Sequence, residues 1–291
     1  MKLAVLHRTT YRYASSVSTS HHDARLAPRA SEQQRVDAFD ISVTPAPSFI
    51  RRRVDYFGNR VLHFDLSEPH QTLEVVASSN VEIDPGAFPN PRSSPPWEQV
   101  AERLKNDRRR DVLDACQMTF DSPHVQRGKP FLDYAAPSFE PGRPLLDAVR
   151  DLTRRIHADF EYDPSATDVS TPALQVLSER RGVCQDFAHF MLSCLRSLGL
   201  GARYVSGYLL TSPPPGSPKL VGADASHAWV SVWLPDHGWL DSDPTNAIEP
   251  RDEHVVVAHG RDFSDVTPLR GVILGGGSHQ LEVAVDVSAI G

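Results

Sequence analysis

Cysteine is scarce in this chain. Its 291 residues include three, Cys116, Cys184 and Cys194, too few and too scattered for a disulfide framework or a zinc knuckle. Long apolar runs are missing too: nothing approaches the roughly eighteen consecutive apolar residues of a membrane-spanning helix. No apolar leader is apparent, because Arg8, Arg12 and alternating polar residues follow Met1 almost at once. These absences predict a cytoplasmic protein without a membrane partner. Positive charge is in deficit, with 30 Lys and Arg against 37 Asp and Glu and a formal net charge of −7, which argues against nucleic acid as the main partner. Gly275-Gly276-Gly277 lacks the lysine and helix that follow a phosphate loop and reads as a turn. No calcium-loop motif occurs. His21-His22 has no spaced partners and reads as a surface pair, while His254 and His259, five apart in a strand-like context, fall on opposite faces. No cofactor and no metal site are expected.

What is present is an ordinary globular composition, 40% hydrophobic and 23% charged, enough for one large or two ordinary domains. Its centre is the run Arg181-Gly182-Val183-Cys184-Gln185-Asp186-Phe187-Ala188-His189. Val183, Phe187, Phe190, Met191, Cys194, Leu195 and Leu198 recur at helical spacing, predicting a helix over residues 184–198 with one buried face, stopped by Gly199. Cys184 then sits in the first turn, where unpaired N–H groups and the positive end of the dipole favour a thiolate. Cys194 lies on the apolar face and is expected in the core, and Cys116 is expected to be structural.

A base for this thiol is sought on the strands that follow. Residues 201–210, 227–234 and 239–243 read as strands, the last two joined by Pro235-Asp236-His237-Gly238, which has turn composition. A hairpin folded at Pro235 sets His227 directly opposite Asp243, and Asp241 opposite Trp229. A bulge at Gly238 would shift this by one place. Cysteine at a helix start with histidine and aspartate on adjacent strands is the nucleophile, base and orienter of thiol acyl transfer. The candidate catalytic residues are therefore Cys184, His227 and Asp243, with the Cys184 backbone N–H as oxyanion donor. Tyr162, Gln185 and Trp229 are secondary candidates for oxyanion or substrate positioning.

The run Gly182 to His189, then Arg203-Tyr204-Val205-Ser206-Gly207-Tyr208, Ala225-Ser226-His227-Ala228-Trp229-Val230 and Asp243-Pro244-Thr245-Asn246 together resemble the bacterial transglutaminase-like family, within the transglutaminase and papain-like superfamily. The resemblance implies the same Cys184, His227 and Asp243 triad and an α+β core with the nucleophile at a helix N-terminus packed on an antiparallel sheet. His7 to Tyr13, Arg25 to Arg29 and Asp55 to Asn59 resemble the amino-terminal domain that precedes this core.

Along the chain, alternating residues 2–7, 39–43, 61–66 and 73–83 predict a β-rich, sandwich-like domain over residues 1–88. Arg51-Arg52-Arg53 reads as a solvated strand edge. A proline- and serine-rich stretch, residues 85–96, marks a boundary, and a linker with helical segments fills residues 89–143. The core and its carboxy-terminal strands then occupy residues 144–291, including a helix from Leu145 and a proline-rich loop, residues 212–222, that either borders the cleft or is an ordinary surface excursion. The expected reaction is attack of Cys184 on an amide of a protein or peptide substrate through a thioester, ending in hydrolysis by a peptidase or amidase. Transfer to an amine, as in a transglutaminase, is the alternative. A non-catalytic binding module is the competing class. Oligomeric state is not legible.

Overall fold

The computed structural model describes residues 1–89, 91–211 and 226–290. The proline-rich loop read at residues 212–222 lies outside them.

The chain begins with five strands, β1 (Lys2–Ala24), β2 (Gln34–Thr44), β3 (Phe49–Val54), β4 (Arg60–Leu66) and β5 (His70–Ile83). Far longer than the alternation at residues 2–7 suggests, β1 bends near Val17, where its pairing register shifts. Its first part pairs with β5 and its last part with β4, giving the order β2-β5-β1-β4-β3. Between these two leaves, Leu73, Val75 and Ala77 of β5 share a buried cluster with Leu62, Phe64 and Leu66 of β4. This is the expected sandwich-like packing. Arg51, Arg52 and Arg53 lie exposed on β3, at the end of the strand order, as a solvated edge.

Four helices follow, α1 (Trp97–Asn106), α2 (Arg110–Cys116), α3 (Lys129–Ala135) and α4 (Leu145–Asp159). The third went unread from sequence: it is one short turn-rich segment with Pro130 at its start. Next come β6 (Glu161–Tyr162), α5 (Ala173–Glu179), β7 (Arg181–Gly182) and α6 (Cys184–Ser197). The second sheet is formed by β8 (Ala202–Leu209), β9 (Ser226–Leu234), β10 (Gly238–Ser242) and β11 (His254–Gly260), in the order β10-β9-β8-β11 with every pair antiparallel.

Rather than one buried face, α6 is buried on all sides from Asp186 to Arg196. It packs on β8 and β9 at one side and on α3, α4 and α5 at the other. Its polar residues tolerate this because each is satisfied. Ser193 donates to the His189 carbonyl at 3.0 Å, and Arg196 donates to the carbonyls of Ala202, Phe120 and Arg261. Gly199, at φ +76°, ends the helix as expected. Cys194 is fully buried in this core.

After α7 (Phe263–Val266), the last strands β12 (Leu269–Gly275) and β13 (His279–Ala289) both pair antiparallel with β1. Sequence reading placed these strands with the core; they complete the amino-terminal sheet instead. Alternation alone identifies a strand without naming its partner. Gly275, Gly276 and Gly277 all have positive φ and turn the chain around the bend of β1, where Ser15 N donates to the Gly276 carbonyl. The two parts of the molecule share one interior: Leu3, Val5, Val81, Val285 and Val287 of the first sheet join the core cluster around α6. Among the described residues no helix is long and apolar enough to cross a membrane.

Candidate active site

The parallel pair β6–β7 sets Tyr162 beside Gly182 and delivers the chain to the start of α6. Val183 is extended (φ −113°, ψ 178°) and offers no side-chain cap. Asp186 reaches back instead, its Oδ2 accepting from the Val183 N–H at 2.8 Å and from Thr167 Oγ1 at 2.6 Å. Burial raises the Asp186 pKa, and those two hydrogen bonds oppose the rise. The N–H groups of Cys184 and Gln185 find no acceptor among the described residues. They remain free at the positive end of a fourteen-residue helix. Cys184 itself is half-buried.

His227 and Asp243 meet as the sequence reading expects, by a different register. The hairpin turns through residues 235–237, with Asp236 at φ 66° and Gly238 at φ 78°, and sets Asp241 opposite Ser231 rather than Trp229. This is a shift of two residues, which preserves the face of every side chain. His227 therefore reaches Asp243 diagonally, with Nε2 2.7 Å from Asp243 Oδ2. Cys184 lies close enough to the imidazole to contribute to raising its pKa. Both His227 and Asp243 are buried. Burial alone would lower the His227 pKa; the bond to Asp243, the bond to Cys184 and their charges outweigh it and raise it from 6.5 to about 10. Asp243 is held well below the usual carboxylate range, because hydrogen bonds from His227, His254 and Asn246 and the His227 charge overcome the opposing effect of burial.

A tight turn fixes that carboxylate. Asp243 pairs with Ile248 across it, Oδ1 accepts from the Thr245 N–H at 2.9 Å, and Oδ2 accepts from Asn246 Nδ2 at 2.7 Å. His254 adds a longer contact, Nε2 to Oδ2 at 3.4 Å, and is buried. Sequence reading missed both supporting residues. Asn246 could be found, since an aspartate followed by Pro-Thr-Asn is a side-chain turn signal. His254 could not, because its place beside Asp243 depends on the pairing of β11 with β8; a bulge between Val256 and Ala258 then changes the parity along β11. That bulge sets His254 opposite Leu209 and His259 opposite Val205, so the two histidines share a face instead of opposing each other.

The three secondary candidates separate. Tyr162 is 52% exposed and lies close enough to Cys184 for the cysteine's charge to contribute, after burial, to its raised pKa. Gln185 donates its side-chain amide to the Val169 carbonyl at 3.3 Å, so only its backbone N–H is free for the site. Trp229 is fully buried, donates Nε1–H to Asp241 Oδ2 at 3.0 Å and lies 5.9 Å from the His227 ring. It supports the imidazole and is out of reach of a substrate. A cavity of about 220 Å³ lies between the two sheets and α4, lined by Arg203, Trp239, Asp241 and His254. It touches the triad only through His254, and Cys184 does not line it.

Comparison with known proteins agrees with this fold. A family described as the bacterial transglutaminase-like N-terminal region matches residues 3–82, and the transglutaminase-like superfamily matches residues 133–244. An uncharacterized protein of Mycobacterium tuberculosis is 41% identical, over 97% of this chain and 91% of its own length. A protein-glutamine gamma-glutamyltransferase of Pseudomonas aeruginosa is 33% identical over 128 residues, which is 38% of this chain and 19% of that protein. Among solved structures, one from Cytophaga hutchinsonii named "a Putative Cysteine Protease" superposes with a TM-score of 0.76 at 22% identity, covering 99% of this chain and 90% of that one. At that identity the likeness concerns the fold.

Proposed function

The chain belongs to the transglutaminase-like superfamily, and from that premise we propose that it is a cysteine-dependent acyl-transfer enzyme acting on amides of proteins or peptides, with hydrolysis as its outcome. One observation carries the proposal: the imidazole of His227 is clamped by Asp243 at 2.7 Å through Nε2 and lies close enough to Cys184 for the cysteine to raise its pKa. In the proposed reaction His227 takes the thiol proton, and the Cys184 sulfur attacks the amide carbonyl. The oxyanion is met by the free N–H groups of Cys184 and Gln185 at the start of α6, with the exposed Tyr162 hydroxyl beside them. His227 then passes its proton to the departing amine, leaving a thioester. Water, deprotonated by His227, cleaves this thioester and restores the thiol. Asp243 stays ionised throughout and stabilises the imidazolium.

Hydrolysis is favoured because Cys184 is only half-buried and its neighbour Tyr162 is half exposed, so water reaches the thioester. The similarity to a protein-glutamine gamma-glutamyltransferase supports transfer to an amine as the second reading. Incubation with glutamine-containing peptides, with and without a primary amine, separates the two. Ammonia or peptide release without amine incorporation supports the first, and incorporation supports the second. If the protein and its Cys184→Ala variant are equally inert towards a broad peptide set, and Cys184 reacts with thiol probes no faster than Cys116, both give way to a binding role.

A further inference from the structure

We propose that the strand pair β1–β4 carries a transition-metal site, with His21 Nδ1, His63 Nε2 and a carboxylate oxygen of Asp65 as ligands and Zn²⁺ as the fitting ion. In the antiparallel register of these strands His21 lies directly opposite Asp65, and Asp23 directly opposite His63. All four side chains therefore project from one face. His21 Nδ1 lies 2.7 Å from Asp65 Oδ1, His63 Nε2 lies 3.1 Å from the same oxygen, and the three ligand atoms are all within 4.8 Å of one another. Around a tetrahedral zinc with ligands at ~2.0–2.1 Å, neighbouring ligand atoms stand about 3.3 Å apart. The His63–Asp65 separation already lies within a few tenths of an ångström of that value, the His21–Asp65 separation is shorter, and rotation of these partly exposed side chains adjusts the set.

The arrangement around His63 points to a cation. Asp23 Oδ1 lies 3.0 Å from His63 Nδ1, and Arg53 Nη2 holds the other oxygen of Asp23 at 2.7 Å. A carboxylate on one ring nitrogen keeps the proton there and presents the lone pair of the other, the usual outer support of a metal-bound histidine. That nitrogen, Nε2, faces Asp65 Oδ1 at 3.1 Å. A divalent cation between them would bond both atoms. Two imidazoles and one carboxylate select zinc over calcium or magnesium, which take oxygen ligands. With side-chain exposures of 57%, 32% and 23% for His21, His63 and Asp65, the ion has an entry path, and water can complete the coordination. Bound there, it would staple β4 and the edge strand β3 to β1. The pair His21-His22 showed no spaced partners in sequence because those partners stand on another strand. His22 is not a surface residue at all: it is buried and stacks on Phe64 at 4.9 Å.

The test uses the full chain carrying Cys184→Ala, which removes the thiol as a competing zinc ligand. Chelator-stripped protein is titrated with ZnCl₂ by calorimetry, and thermal midpoints are read with and without zinc. One saturable site is expected, lost in His63→Ala and in Asp65→Ala and weakened about 10–100-fold in Asp23→Asn, the usual effect of removing a partner behind a metal-bound histidine. Zinc should raise the thermal midpoint of the parent and leave that of the two alanine variants unchanged. Matching midpoints without metal show that the variants fold. Zinc binding that survives His63→Ala unchanged, including binding by the buried group His227, Asp243 and His254, overturns the proposal, as does an absence of saturable binding to the parent.

Discussion

Replacing Asp243 by asparagine removes one negative charge from beside His227 while preserving side-chain size. Of the influences that raise the imidazole pKa, the hydrogen bond that His227 donates to Asp243 is the largest, followed by Cys184 and the charges of both. The rise from 6.5 to about 10 corresponds to roughly 5 kcal/mol of preference for imidazolium, at about 1.4 kcal/mol per pH unit. Burial acts in the opposite direction, so without the carboxylate charge the imidazole is expected to be neutral at pH 7. The asparagine can still accept a hydrogen bond, so part of the orientation survives. We therefore place the loss of general-base assistance at about 100-fold, or ~2.7 kcal/mol, the lower end of the range for such groups. The assay is iodoacetamide labelling at pH 7, with each cysteine followed separately by mass spectrometry. Fully buried Cys194 and partly buried Cys116 serve as internal references. Cys184 should label fastest in the natural sequence and about 100-fold more slowly in Asp243→Asn, with the other two rates unchanged. Equal Cys184 rates in both proteins would refute the reasoning that Asp243 acts through His227. A similar fall at Cys116 would indicate general loosening of the fold instead.

Two further outcomes follow from packing and burial. At Gly207 an added methyl would overlap the Val255 carbonyl oxygen and the Trp229 ring; Gly207→Ala should destabilise by about 3 kcal/mol, as overpacking does, and slow Cys184 labelling by displacing the support of His227. A normal melting temperature would contradict this. The second concerns acid. His7, buried where β1 meets the core and 2.9 Å from the Tyr208 hydroxyl, has its pKa lowered by burial from 6.5 to about 4. A lowered folded pKa gives stability that is complete above the unfolded value and lost as pH falls through the folded one. Acidification from pH 6.5 towards 4 should therefore cost up to about 3 kcal/mol from this residue, with His22 and His189, also lowered by burial, adding to the same limb. Urea unfolding at pH 6.5 and 4.5 checks it: the drop should be smaller in His7→Gln, and an unchanged drop would exclude His7 as a source.

By itself the sequence determined which residues carry the chemistry and which local structures hold them. A glycine before Cys184, apolar residues at helical spacing behind it and Gly199 at its end specify α6, because helix starts, faces and stops are set by neighbours within a few residues. The face relation of His227 and Asp243 was legible for the same reason: strand alternation has a period of two, so even a two-residue error in register keeps both on one side. Everything that depended on partners distant in the chain required the tertiary structure. Alternation marked β12 and β13 as strands, but their pairing with β1 is a choice among sheet edges that no local pattern encodes. Full burial of α6 arises from packing on both sides, which admits His189 and Arg196 to the interior because distant carbonyls and N–H groups satisfy them. His254 reaches Asp243 only through the pairing of β11 with β8, and His21 meets His63 and Asp65 only across a strand pair. Local sequence specifies conformation through short-range sterics and hydrogen bonding, whereas contacts between distant residues are fixed only when the whole chain finds the arrangement that buries its apolar faces together.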